Sequence, residues 1–205
     1  MTMNSLPKVI HHIAIFASGN GSNCENLIHH FSKRSDAEVS LVVCNQASAP
    51  VVERARRLGV GAVVLSKAEF ANPSVLKPVL QAHHIDFIVL AGFLLMIPGW
   101  LVSAYARRMI NLHPALLPKF GGKGMYGHHV HEAVKAAGET LTGMTVHWVS
   151  EECDGGEIIA QFTTPVSPTD TPDDIAAHEH ELEMAHFPEV VDQVLKSLPA
   201  DIESC

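Results

Sequence analysis

Asn111 and His113 stand one residue apart at the end of an apolar, strand-forming segment that begins near Met109. Residues i and i+2 of a strand project from the same face, so an amide N–H and an imidazole N–H can reach one point. Two donors aimed at one oxygen stabilise the oxyanion of a tetrahedral intermediate, as acyl transfer requires. A carboxylate beside the histidine would favour its charged form. Asp154, in Cys153-Asp154-Gly155-Gly156, is the candidate, and the two following glycines would let backbone crowd a ligand. Taken alone, the acid reads equally as a turn former and the histidine as structural. The chain has no G-x-S-x-G nucleophile elbow. Direct transfer between two substrates therefore fits better than an acyl-enzyme.

Gly19-Asn20-Gly21-Ser22-Asn23 is a second chemical signal. It joins an apolar first strand to a helix, and free amides at a helix start favour an anion, most simply a phosphate. A dinucleotide fingerprint would need a third glycine where Cys24 stands, and an acid after the second strand, which instead ends at Asn45-Gln46. No P-loop lysine follows. Phosphate-monoester binding and a tight turn that binds nothing both remain open at this level.

Fourteen histidines invite a search for metal ligands. His128, His129, His131 and Glu132 form one group, and His178, His180 and His186 another. Neither matches H-E-x-x-H or a Cys/His zinc spacing, so no metal is expected. His11 and His12, one on each face of the first strand, read as packing or edge exposure. His147 reads as a hydrogen-bonded structural residue.

The elements that must carry these groups alternate. Strands are expected over Val9–Ala17, Glu38–Cys44, Ala62–Leu65, Asp86–Gly92 and Met109–Leu112. Helices are expected over Cys24–Ser35, Ala49–Leu58, Asn72–His83, Pro98–Ala106 and His128–Ala137. The long irregular stretch Pro114–Gly127, with Gly121, Gly122, Gly124 and Gly127, has the length and composition of a functional loop. Thr142–Val149 and Glu157–Val166 read as strands joined by the Asp154 turn, before a last helix over Pro172–Leu195. This pattern predicts an α/β fold, a mostly parallel sheet flanked by helices with antiparallel strands added at one side.

The 205 residues set the bounds. Hydrophobic residues are 47% and charged residues 18%, which argues against disorder. A net charge of −8 with no basic run disfavours nucleic-acid or membrane-surface binding. The longest apolar run, Phe87–Ile97, is too short to span a bilayer, which takes about 20 residues. Four widely spaced cysteines suit a reducing compartment, so a cytoplasmic location is expected. The reading is one domain over 1–205, with a flexible leader (1–8) and tail (198–205).

Gly19-Asn20-Gly21-Ser22-Asn23, Ala91-Gly92-Phe93, Asn111-Leu112-His113-Pro114-Ala115-Leu116-Leu117-Pro118-Lys119, Thr145-Val146-His147 and Asp154-Gly155-Gly156 occur in an order and spacing that resemble the folate-dependent glycinamide ribonucleotide formyltransferases of purine biosynthesis. The resemblance runs from the first strand to about Pro188. It implies a Rossmann-like formyltransferase fold and transfer of a formyl group from 10-formyltetrahydrofolate to the amine of glycinamide ribonucleotide. It further implies that Gly21, Ser22 and Asn23 hold the phosphate and that Glu183 contacts the nucleotide. Asn111 and His113 would stabilise the oxyanion, with Asp154 paired to His113. Leu94, Leu95, Met96 and Ile97 would line the pterin pocket, as would the backbone of Glu151, Glu152 and Cys153. Leu95 stands where many relatives have a basic residue. The partners implied are these small molecules, with the protein a monomer or homodimer. The competing readings are a 10-formyltetrahydrofolate hydrolase, whose family members usually carry an extra N-terminal domain, and a non-catalytic nucleotide-binding module.

Overall fold

The structure, a computed structural model, describes residues 10–199. The expected leader lies outside these residues, as does the expected tail apart from Leu198 and Pro199. Seven strands form one sheet: β1 (His11–Phe16), β2 (Ala37–Cys44), β3 (Gly61–Val64), β4 (Phe87–Ala91), β5 (Met109–His113), β6 (Leu141–Trp148) and β7 (Ile158–Pro165). Their order is β3-β2-β1-β4-β5-β6-β7. The first five are parallel, and β6 and β7 run antiparallel at one edge. The expected architecture is therefore present.

Period-two alternation sends side chains to both faces of the sheet. Ile13 and Ile15 of β1 join one core with residues of α1 (Ser22–Phe31), α2 (Pro50–Arg57) and α7 (Pro172–Ser197). Ala14 and Phe16 join the other, with residues of α3 (Lys67–Ala71), α4 (Pro73–Ala82) and α5 (Gly99–Ala104). All five residues of β4 are buried, as expected of a parallel strand covered on both sides.

Several local expectations change. α3 is an additional helix, started by a capping box in which Ser66 and Glu69 satisfy each other's backbone amides. α1 begins at Ser22 rather than Cys24, because Gly21 takes the left-handed N-cap conformation. α7 continues through Pro188 to Ser197. β1 lies mid-sheet, so its histidines are not edge residues; both are half-buried and hydrogen-bonded. His11 Nδ1 lies 2.6 Å from Asp86, and the amide of His12 donates to the same carboxylate at 2.7 Å. The His12 ring meets Ser40 and Glu38 at 3.0 Å.

Strand order positions the chemistry. β1, β4 and β5 are neighbours, so the loops at their carboxyl ends share one edge of the sheet, where ligands bind in open α/β folds. β6 returns antiparallel beside β5 and delivers the turn that holds Asp154 to the same edge.

Candidate active site

A cavity of about 530 Å³ opens at this edge. The glycine turn after β1, the loop after β4, the end of β5, the Gly122–Gly127 loop, Cys153-Asp154 and Glu183 of α7 line it. It brings together Gly21, Ser22, Asn23, Asn111, His113, Asp154 and Glu183, residues up to 162 positions apart in the chain (183 − 21).

The corner of the cavity that holds Asn111, His113 and Asp154 is built on the β5–β6 pairing. Asn111 lies opposite His147, and His113 opposite Thr145. The Thr145 hydroxyl donates to the Ala115 carbonyl at 2.6 Å and accepts the Leu117 amide at 3.1 Å, fixing the chain beyond His113. Asp154 adopts a left-handed conformation, φ 55°, which Asp tolerates better than most residues. At Gly156 a Cβ would meet the Trp148 carbonyl oxygen at 1.7 Å, so only glycine lets this turn close. Asp154 Oδ2 accepts the Gly122 amide at 2.8 Å. Its Oδ1 lies 3.4 Å from Asn111 Nδ2 and 3.6 Å from His147 Nε2.

The Phe120 carbonyl accepts a hydrogen bond from His113 Nε2 at 2.7 Å. The proton therefore sits on Nε2 in the neutral ring, and Nδ1, 3.7 Å from Asp154 Oδ2, is bare. His113 is 3% exposed. Burial lowers its pKa below the ordinary histidine value, more than Asp154 and the Phe120 contact raise it, and His147 and His131 push it further down. The expected charged imidazole held by Asp154 is thus corrected to a neutral one in the resting site. Burial raises the Asp154 carboxyl, but His147, His113 and the Gly122 amide outweigh it and hold the pKa low. The pair at rest is an ionised acid beside a neutral base.

His147 is the residue that sequence reasoning underused. Its Nδ1–H donates to the Trp148 carbonyl at 2.9 Å, leaving Nε2 to accept the Asn111 amide at 3.0 Å. That bond orients the Asn111 side chain. The signal was available, since His147 pairs with Asn111 once β5 and β6 are set antiparallel.

At the other end of the cavity, Gly21 (φ 81°) caps α1 with no side chain bonded to the first-turn amides. A Cβ there would lie 2.5 Å from Val51 Cγ2, so glycine is required. Asn23 Nδ2 donates to Glu183 Oε2 at 2.8 Å, and His180 Nδ1 lies 3.2 Å from the same oxygen. The buried Oδ1 of Asn23 has no partner. These acceptors suit hydroxyl groups, while the first-turn amides suit an anion. Ser18 ties this turn to the next loop, accepting the Leu94 amide at 2.9 Å.

Leu94, Leu95, Met96 and Cys153 line the cavity, but Ile97, Glu151 and Glu152 do not. Ile97 packs against the core beneath. Glu152 folds under Gly155, where a Cβ would lie 2.6 Å from its side chain, and Glu151 reaches toward Gly99. Among the described residues, no group of three or more His, Cys, Asp or Glu is placed to hold a metal ion. No helix among them is long and apolar enough to cross a membrane.

Comparison with known proteins gives the chain a family. A family described as "Formyl transferase" matches residues 11–191. The chain belongs to the formyl transferase family. It is 35% identical over 187 residues to the phosphoribosylglycinamide formyltransferase of Bacillus subtilis, covering 89% of this chain and 93% of that protein. It is 42% identical over 180 residues to the chloroplastic phosphoribosylglycinamide formyltransferase of Arabidopsis thaliana, covering 83% of this chain and 62% of the plant protein. The chain thus spans about three-fifths of that longer relative. A solved structure, the phosphoribosylglycinamide formyltransferase of Anaplasma phagocytophilum, superposes with a TM-score of 0.84 at 30% identity, covering 93% and 88% of the two chains.

Proposed function

We propose that this formyl transferase moves a formyl group from 10-formyltetrahydrofolate to the amine of glycinamide ribonucleotide. The observation that carries the reading is a single cavity. It joins the Asn111, His113 and Asp154 corner to an uncapped helix start suited to a phosphate monoester. Relatives named for this activity, one of them covered over 93% of its length, support it.

The ribonucleotide phosphate sits on the amides of Gly21, Ser22 and Asn23, with Asn23 and Glu183 accepting from ribose hydroxyls. The folate lies against Leu94, Leu95, Met96 and Cys153. Its amine partner attacks the formyl carbon, and the carbonyl oxygen becomes an oxyanion to which Asn111 Nδ2 donates. The attacking nitrogen passes its proton to the bare Nδ1 of His113, and the imidazolium so formed faces both the oxyanion and the ionised Asp154. Collapse of the intermediate breaks the bond to the folate nitrogen, which takes that proton. Holding both substrates side by side removes the entropic cost of their encounter. The Asn111 donor contributes on the order of 10²–10³ in rate. The free thiols of Cys24, Cys44 and Cys153 suit the cytoplasm as the site of this reaction.

Mixing the protein with 10-formyltetrahydrofolate, with and without glycinamide ribonucleotide, tests the reading by absorbance. Formyl loss that needs the ribonucleotide is the expected result. Equal loss without it would reassign the protein as a hydrolase, and no loss as a binding module.

A further inference from the structure

The proposed substrates are both anionic, and the cavity meant to hold them is lined by two carboxylates, Asp154 and Glu183. Among the described lining residues, Lys123 alone is a lysine or arginine. It belongs to the glycine-rich loop that family resemblance left without a role.

Backbone geometry fixes where this lysine stands. The Gly122 amide donates to Asp154 Oδ2 at 2.8 Å, anchoring the loop to the reaction corner. The Met125 amide returns to the Gly122 carbonyl at 3.1 Å and closes a four-residue turn. Lys123 and Gly124 occupy its two central positions. Gly124, at φ 94°, meets the left-handed requirement at the third position of a type II turn. Lys123 is therefore the corner residue of a turn that Asp154 itself holds. The two cavity carboxylates are engaged elsewhere: Asp154 by Gly122, and Glu183 by Asn23 and His180. No described carboxylate forms an ion pair with Lys123, so its ammonium group and three donors are left for a ligand.

We propose that Lys123 is the counter-cation for an oxyanion group, a phosphate monoester or a carboxylate, on a substrate held in this cavity. The choice between those groups rests on the formyl-transfer reading. The placement of the lysine does not.

The test is steady-state kinetics of the full chain and its Lys123→Met and Lys123→Arg variants. Glycinamide ribonucleotide is varied in one arm, and mono- and tri-glutamyl 10-formyltetrahydrofolate in the other. Lys123→Met is expected to raise one KM about 5- to 20-fold, with kcat changing less, as for loss of one partly screened charge-assisted contact. Lys123→Arg restores most of the loss, and the gap narrows between about 20 mM and about 300 mM salt. A rise for the ribonucleotide identifies the phosphate as the ligand group. A rise for the folate that grows with glutamate number identifies the carboxylates. Unchanged KM values for both overturn the assignment. If the wild-type protein transfers no formyl group, the reaction reading fails separately. Thermal shifts with inorganic phosphate and with folic acid then decide the lysine's role, and equal shifts in wild type and Lys123→Met overturn it.

Discussion

Asp154 and Glu179 are acids withdrawn from solvent beside a histidine, the first partly and the second fully buried, and their pKa values move in opposite directions. The Asp154 side chain is 10% exposed and that of Glu179 1%. Burial is the largest influence at both and raises both. At Asp154 a fixed backbone amide and two histidines reverse it, and the carboxyl stays ionised. Glu179 has the Thr142 hydroxyl and His131 Nδ1, the latter 2.7 Å away, while Glu183 one turn along α7 opposes ionisation. These partners do not offset burial, and the Glu179 pKa is raised. Deeper burial and the like charge of Glu183 leave Glu179 raised, whereas the less buried Asp154 has the Gly122 amide and, among the described residues, no neighbouring acid to oppose it. Asp154 faces a cavity and keeps a charge available for chemistry. Glu179 pins β6 and α6 (His128–Ala136) to α7 and has no access to the ligand.

The strongest way to break this contrast is Asp154→Asn. Asparagine can still accept the Gly122 amide, so the fold should persist by circular dichroism while kcat falls ~10²–10⁴-fold, the span for acid–base groups. A variant with near-normal kcat would remove Asp154 from the chemistry.

The pH profile sharpens it next. Because burial lowers the His113 pKa, the base is neutral down to below the ordinary value of about 6.5, and kcat/KM should hold until that pH is passed. An acid limb with its midpoint above that value would contradict the neutral resting ring.

Glu179→Gln gives the smallest expected effect and the clearest sign. A carboxyl raised in the folded state leaves the unfolded chain with fewer bound protons. Stability is then lost as pH rises from about 4.5 through the folded value. Asp154 behaves oppositely: its contribution is present above about 3.8 and is lost as pH falls through its lowered folded value. Melting temperature followed against pH should show the first slope vanish in Glu179→Gln and the second in Asp154→Asn. Identical pH slopes in the two variants would erase the distinction.

Much of this was legible in the chain. Apolar, β-branched segments located all seven strands, and the i, i+2 spacing put Asn111 and His113 on one face. Glycines at 21, 155 and 156 announced tight turns, and two of those positions admit no Cβ without a clash with backbone or Val51. What the chain could not display was any sum over distant parts. The direction of the His113 shift depends on burial by elements far along the sequence. The Asp86 contacts of His11 and His12 join positions about 75 apart, with no local signal. Ile97 shares the apolar character of Leu94 and Met96 yet turns into the core, because a short apolar run does not reveal which of its members faces in. The Ser66-x-x-Glu69 spelling of α3 was present and simply short.

The bond between Asn23 and Glu183 links positions 160 residues apart. During synthesis the Asn23–Glu183 end of the cavity cannot exist until α7 has left the ribosome and docked beside α1. α7 also supplies Phe187, Val190, Val191, Val194 and Leu195 to the core on one face of the sheet, so a nascent or C-terminally nicked chain lacking it would have neither that end of the cleft nor a finished core.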